Sequence, residues 1–487
     1  MKKSKLLFLI IIFHSSWVMA QHYQPILSGR ISYFIDLYGS VKSVRIDSVE
    51  FKTDSVFHPV SNIQEKSNDC VTPYGASWIG NKVIIQSNGL SVFLNKESDS
   101  VKLKTNAILY ESWTAYQFPD SSTVVATVIN HDTLSFLGLV DSTKTIGFKV
   151  FDKKMNPLSH MLNAMSIIIS KNYGLVKTLN FSMFPDFNEY YNYQDQLQEY
   201  TLAGLSAPKL GIQNLEWYAV NDFQVGDEIH VSYENSEWYD PAYVVCDLRQ
   251  TIYKYLSRKE NADSIVYTIE RTQSQKQTAI ANITYTYVHD TIQSIIKPWP
   301  LFEKLPGEVI FSDNWAYVLS MKSNNFISKT IPSVYDRFHL NSESCWSNCC
   351  ADGCFPADIY LKGLGGPYYE CDNVFSGGGL TNKFVYYKKG SDSWGVPLVI
   401  TSVKDNRVED KIEIYPNPAK NRIYITVKNL EFLFVLEIAN MEGQVLLAKK
   451  IDSNSSSVNI ENFKSGFYIY RFSKNGVRIK TGKLIIE

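Results

Sequence analysis

The sequence has 487 residues and a formal net charge of -1. It is 45% hydrophobic and 20% charged, ordinary for a folded chain that buries its own core without metals or staples. The length suits roughly two to four domains, and the near-neutral charge argues against a nucleic-acid partner, because phosphate binding needs a basic surface.

Residues 1–20 read as a secretory signal peptide. Lys2, Lys3 and Lys5 form a positive start, residues 6–13 are an unbroken apolar run, and Val18-Met19-Ala20 offers the cleavage positions. Cleavage after Ala20 leaves Gln21 as the mature N-terminus. A membrane anchor is the rival reading, but the run falls well short of the roughly 20 residues that span a bilayer. No later stretch is apolar enough to span, so the mature chain is expected to have no transmembrane segment.

Residues 21–400 form a long passenger, with a candidate subdivision near 220. Tyr and Phe are abundant, and Thr, Val and Ile recur in short runs, which suits pleated, half-buried strands. Strands are expected at 107–118, 122–130, 133–140 and 145–151, and again at 226–233, 250–256, 264–271 and 283–288. Turns at Asp132-Thr133 and Asp263-Ser264 separate neighbours in the two series. The likeness of the series suggests either an internal duplication or two ordinary meanders. Short helices are expected only near Asp336 and at 302–304.

Residues 401–411 are polar and charged, with no apolar periodicity, and read as a linker. From 412 the texture changes. A strand at 412–415 must stop at Pro416-Asn417-Pro418, because proline fixes φ and removes a donor. Strands follow at 422–427, 432–439, 445–449, 458–460, 466–472 and 478–486, with a tight turn at 441–444. About seven strands in roughly 75 residues suit a small Ig-like β-sandwich. The fold class is therefore mainly β: an antiparallel, β-rich passenger of one or two domains, plus this sandwich.

Four features of the C-terminal module occur in a fixed order: Tyr415-Pro416-Asn417-Pro418, Gly443-Gln444, Gly466-Phe467-Tyr468 and the Lys-rich final strand from Lys480. In these it resembles the type A C-terminal sorting domain of the type IX secretion system. The resemblance implies passage through the periplasm of an outer-membrane-bearing bacterium, with the secretion machinery as partner. It also implies a secreted or cell-surface location, with attachment to surface polysaccharide or release. Residues 170–178, 223–228, 363–369 and 386–390 are similar to segments of uncharacterised proteins that carry the same sorting domain, and no activity comes with that similarity.

Cys345, Cys349, Cys350, Cys354 and Cys371 cluster, and Cys70 and Cys246 stand apart. An oxidising compartment favours disulfides, with a metal site or free thiols as the alternatives. Adjacent Cys349 and Cys350 are not expected to bridge each other. Cys70 and Cys246 are a candidate pair, and the odd total leaves one thiol over. The hydrolase elbow, the zinc-protease helix and the phosphate-binding glycine loop are absent, and no cofactor is expected. The histidines are scattered and read as surface or strand residues. Tyr190, Tyr191, Tyr193 and Tyr200 are either stacking faces for a sugar or sheet surface.

Asp followed by Ser or Thr and then by an apolar residue or Thr recurs at Asp47, Asp54, Asp99, Asp132, Asp141, Asp263 and Asp290. Such pairs make turns. The triplets also resemble the O-glycan acceptors of bacteria that use this secretion system, which makes Ser48, Ser55, Ser100, Thr133, Ser142, Ser264 and Thr291 candidate acceptors. The leading functional expectation is a non-enzymatic structural or adhesive surface protein. The alternative is a secreted hydrolase acting on polysaccharide or protein.

Overall fold

The computed structural model describes residues 23–67, 70–185, 197–240, 243–279, 282–341, 345–348, 354–373, 378–400, 412–427, 434–474 and 477–487. The signal-peptide residues Ala20 and Gln21, the linker, Tyr190, Tyr191, Tyr193, Cys349 and Cys350 lie outside them. The protein is almost all β, and its strand pairs are antiparallel. It divides into two compact units, Met1–Ile400 and Thr401–Glu487. Among the described residues the larger contains sheets of nine, ten, six and five strands, and the smaller contains sheets of three and four.

In the larger unit, Ser32–Ile35 and Val41–Val44 join the strands from Ser112–Gln117 to Lys209–Gly211 in the nine-stranded sheet. Alternate residues point to one core, as in Thr123–Phe136, where Val124, Ala126 and Val128 are buried. Phe93 stacks on Phe181 there at 4.0 Å between ring centres. The ten-stranded sheet is built after Glu228. A further core joins the two regions, with Tyr33 and Val41 packed among Leu215, Phe302, Met321 and Tyr360.

Two expectations about strands are corrected. Residues 122–130 and 133–140 do not flank a turn at Asp132: one strand, Thr123–Phe136, runs through it. The turn lies at Leu137-Gly138, both at positive φ (52° and 76°), closing a two-residue hairpin onto Leu139–Phe151. An apolar Leu in a left-handed position gives no turn signal, whereas Asp132 gives a false one. The second series is also longer than its apolar runs suggest. Glu228–Asp240, Tyr243–Glu260, Ile265–Ala279 and Asn282–Ile296 have 13, 18, 15 and 15 residues. They pair in sequence order as an arm at one end of the ten-stranded sheet. The arm's base packs through Tyr255, Ile265, Tyr267 and Ile269. Its outer part is held by cross-strand polar pairs instead: Arg249 lies 3.8 Å over the Tyr233 ring, and Gln275 Nε2 donates to Asp247 Oδ1 at 2.9 Å.

Of the expected helices, Val334–Asp336 is a single 3-10 turn, and 302–304 is an ordinary turn. One α-helical turn, Trp217–Val220, was not anticipated.

The cysteine pairing also differs. Cys70 bonds Cys345, with Cα atoms 5.3 Å apart across 275 residues, and Cys354 bonds Cys371 at 5.8 Å. Cys246 is free, in the arm strand Tyr243–Glu260, where burial pushes its thiol pKa up. Pairing of Trp346 with Val71 sets Cys345 beside Cys70, and that long-range register cannot be read from spacing.

Candidate functional site

The smaller unit closes around its own core. Ile423, Ile425 and Val427 alternate inward from the three-stranded sheet, and Phe434, Leu436 and Ile438 face them from the four-stranded sheet. The Pro-Asn-Pro turn after Ile412–Tyr415 does more than end a strand. Asn417 Nδ2 donates to Lys483 O, and Asn417 Oδ1 accepts from Ile485 N, both at 2.8 Å. Ala419 N then donates to Ile485 O, and Glu487 N donates to Ala419 O, again at 2.8 Å. Residues 417–419 thus clasp the last strand, Val477–Ile486, although about 65 residues separate them in sequence.

The other motif residues are also built for shape. Asn440 Oδ1 accepts from Gln444 N at 2.9 Å, and Gly443 takes the left-handed conformation (φ 87°) that closes this hairpin turn. Tyr468 is buried and donates to Lys464 O at 2.6 Å, which pins the entry to Gly466–Lys474. The corner of an immunoglobulin sandwich uses a tyrosine in a comparable way. The sequence reading missed Gly482: a Cβ there would meet the Tyr470 hydroxyl at 2.2 Å, and the two residues are paired across strands. On the outside, Tyr415 stacks on Tyr424 at 5.9 Å, and Lys483 Nζ sits 3.8 Å over the exposed Phe467 ring.

Residues 413–487 match the family described as the Secretion system C-terminal sorting domain. The chain carries a type IX sorting domain. Among curated proteins, beta-agarase A of Zobellia galactanivorans is 28% identical over 113 residues, which cover 20% of this chain and 20% of that one. Two crystal structures of an extracellular domain from B. thetaiotaomicron align over 96% of the chain at 9% and 8% identity. Their TM-scores are 0.15 and 0.14, too low to support any argument from the likeness. Replacing Asn417 in the sorting domain by Ala removes both clasp bonds. The domain's unfolding free energy in denaturant should fall by about 1–2 kcal/mol, with faster hydrogen exchange at the Ile485 amide. Asn417→Asp keeps the acceptor and should cost less.

Apart from the sorting domain, the richest polar site is in the passenger. Lys329, on the strand Ile327–Ile331, is fully buried. Its Nζ donates to Asn214 Oδ1 (2.9 Å) and to the carbonyls of Leu215 (3.2 Å), Phe302 (2.5 Å) and Lys304 (2.7 Å). Trp217, Trp299, Phe302 and Tyr360 pack edge-to-face or stacked around one another, and Nζ lies 4.9 Å over Phe302. Burial pushes the Lys329 ammonium pKa down to about 7, although Glu303, Glu216 and Glu308 pull the other way. Asn214 and Lys304 also line a hollow of about 510 Å³ with Glu216, Glu303 and Glu308. These acids are partly engaged: Glu303 Oε1 accepts from Trp217 N (2.9 Å), and Glu308 pairs with Arg45 (3.0 Å) and Lys304 (3.2 Å). No group of three metal-ligating side chains occurs among the described residues. No helix among them is long and apolar enough to cross a membrane.

The remaining candidates are scattered. Ser48, Ser100, Thr133 and Thr291 are exposed, whereas Ser55, Ser142 and Ser264 are half-buried. Asp47, Asp132, Asp141 and Asp290 sit within strands rather than turns. Asp141 accepts from Ser170 and Asn172, and Asp290 pairs with Arg271 at 2.6 Å. Tyr200 is no stacking face: it is fully buried against Trp78, 4.9 Å between ring centres. His230 is buried as well, 2.6 Å from Glu228 Oε1 and accepting from Leu398 N at 2.8 Å.

Proposed function

We propose that the passenger is a non-enzymatic surface protein, structural or adhesive, delivered by its sorting domain. The sorting domain indicates type IX export. In this reading residues 1–20 direct passage across the inner membrane, and the secretion machinery then carries the passenger across the outer membrane. There it is attached to surface polysaccharide or released. The exposed acceptors Ser48, Ser100, Thr133 and Thr291 are the best placed to carry O-glycans.

The observation that carries the reading is the arm. Strands of 13–18 residues continue well beyond the apolar base. Ordinary strands run to about 5–6 residues. Thr, Gln and Tyr recur through the outer part, with polar pairs in place of a core. Such an arm presents surface without enclosing a substrate.

The second reading, a secreted polysaccharide hydrolase, draws on the 113-residue likeness to beta-agarase A and on the acid-lined hollow. The discriminating experiment uses the mature, oxidised chain with agarose, other polysaccharides and casein. It should release neither reducing ends nor peptides, and cells displaying it should attach to surfaces better than cells without it. Release of reducing ends that is abolished by Glu303→Gln would overturn the non-enzymatic reading.

A further inference from the structure

We infer that the outermost arm strand, Asn282–Ile296, is an interface through which two copies of this chain join edge to edge. The strand ends the ten-stranded sheet, and no strand among the described residues pairs with its outer side. It is 15 residues long, whereas the other edge strands of the same unit have 3–6. An open edge exposes backbone N–H and C=O groups that invite another strand, and monomers guard against this with lysine, proline, bulges or short edges. This edge has none of those guards. It contains no Lys, Arg or Pro, its register against Ile265–Ala279 is unbroken, and its one formal charge, Asp290, is held by Arg271.

The strand's own residue order selects the partner. Residues 283, 285, 287, 289, 291, 293 and 295 all lie on one face and are exposed. Ile283 and Ile295 are 53% and 56% exposed. They are placed symmetrically about His289. An antiparallel pair with its two-fold axis at His289 therefore sets Ile283 against Ile295 of the second copy, and Ile295 against its Ile283. Tyr285 then faces Gln293, Tyr287 faces Thr291, and Val288 faces Asp290. A two-fold axis one residue on would set Asp290 against Asp290, a like-charge pair that destabilises a sheet. Because the contact is isologous, it uses up the open edge and closes at a dimer rather than growing into a fibre. The inference holds whether the passenger is adhesive or hydrolytic.

Sedimentation equilibrium of the mature chain carrying Cys246→Ser is expected to show a monomer–dimer equilibrium. Adding His289→Cys should give a covalent dimer under mild oxidation, since directly opposed residues of paired strands have Cα atoms roughly 4.5–5.5 Å apart, within disulfide range. Ile283→Lys combined with Ile295→Lys should weaken dimerisation by about 100-fold, because two like-charge pairs form at the interface. Ile283→Lys combined with Ile295→Glu replaces these by opposite charges and should recover dimerisation to within about tenfold of the parent. That recovery also shows that substitution at these positions does not unfold the arm. A parent that stays monomeric at about 100 μM, a concentration that populates even a micromolar interface, would overturn the inference. So would a dimer that responds to neither charge combination.

Discussion

Deleting residues 412–487 is expected to trap the passenger in the periplasm, with essentially none reaching the cell surface or medium. The sorting domain has its own core, from Ile412 to Ile486, so its removal takes away an address without opening the passenger's cores. The deleted form should still lose residues 1–20 and begin at Gln21, because inner-membrane passage is a separate step. Fractionation with immunoblotting, and mass spectrometry of the N-terminus, measure both outcomes. A reporter placed between residues 1–20 and residues 401–487 should be exported in the same strain. Normal surface delivery of the deleted passenger would show that another segment carries the address, and a reporter left in the periplasm would show that the sorting domain is insufficient.

Replacing Lys329 by Met should destabilise the passenger by roughly 1–3 kcal/mol near neutral pH, the cost of leaving buried acceptors unsatisfied. Met fills much of the volume but leaves the Asn214 side chain and three carbonyls without their shared donor. The charge adds a pH signature. In the folded chain the Lys329 pKa is lowered from 10.5 to about 7. Between those values the unfolded chain binds a proton that the folded chain does not, so stability rises with pH across the window. Below about pH 7 both forms are protonated, and the contribution to the slope vanishes. The advantage of the parent over Lys329→Met should therefore grow by up to roughly 1.4 kcal/mol per pH unit from pH 7.5 to 9. Denaturant unfolding of both proteins at several pH values measures it. Parallel stability curves would mean that Lys329 keeps an ordinary affinity for its proton in the folded chain.

Much of the sorting domain was legible because its signals are local. Proline stops a strand wherever it occurs, and Ile423, Ile425 and Val427 alternate whatever faces them. The mainly β class was legible for the same reason, since it follows from residue types that favour the extended backbone. What Asn417 does was not legible: its two bonds are to Lys483 and Ile485, and only the folded sandwich brings that strand alongside. The passenger shows the same limit more strongly. Asp132 suggested a turn, but the partner strand Leu139–Phe151 continues past it and moves the turn to Leu137-Gly138. Cross-strand pairs hold the arm together where no apolar periodicity is visible. Cys70 and Cys246 were a candidate pair, but the pairing of Trp346 with Val71 sets Cys70 beside Cys345, 275 residues away. Lys329 gave no signal at all, because its four acceptors come from segments more than twenty residues earlier in the chain. The sequence by itself determined the β class and the address, because backbone preference and turn chemistry act over a few neighbouring residues. Tertiary structure alone decided the cysteine partners, the open arm edge and the buried lysine, because these depend on which distant strands pair.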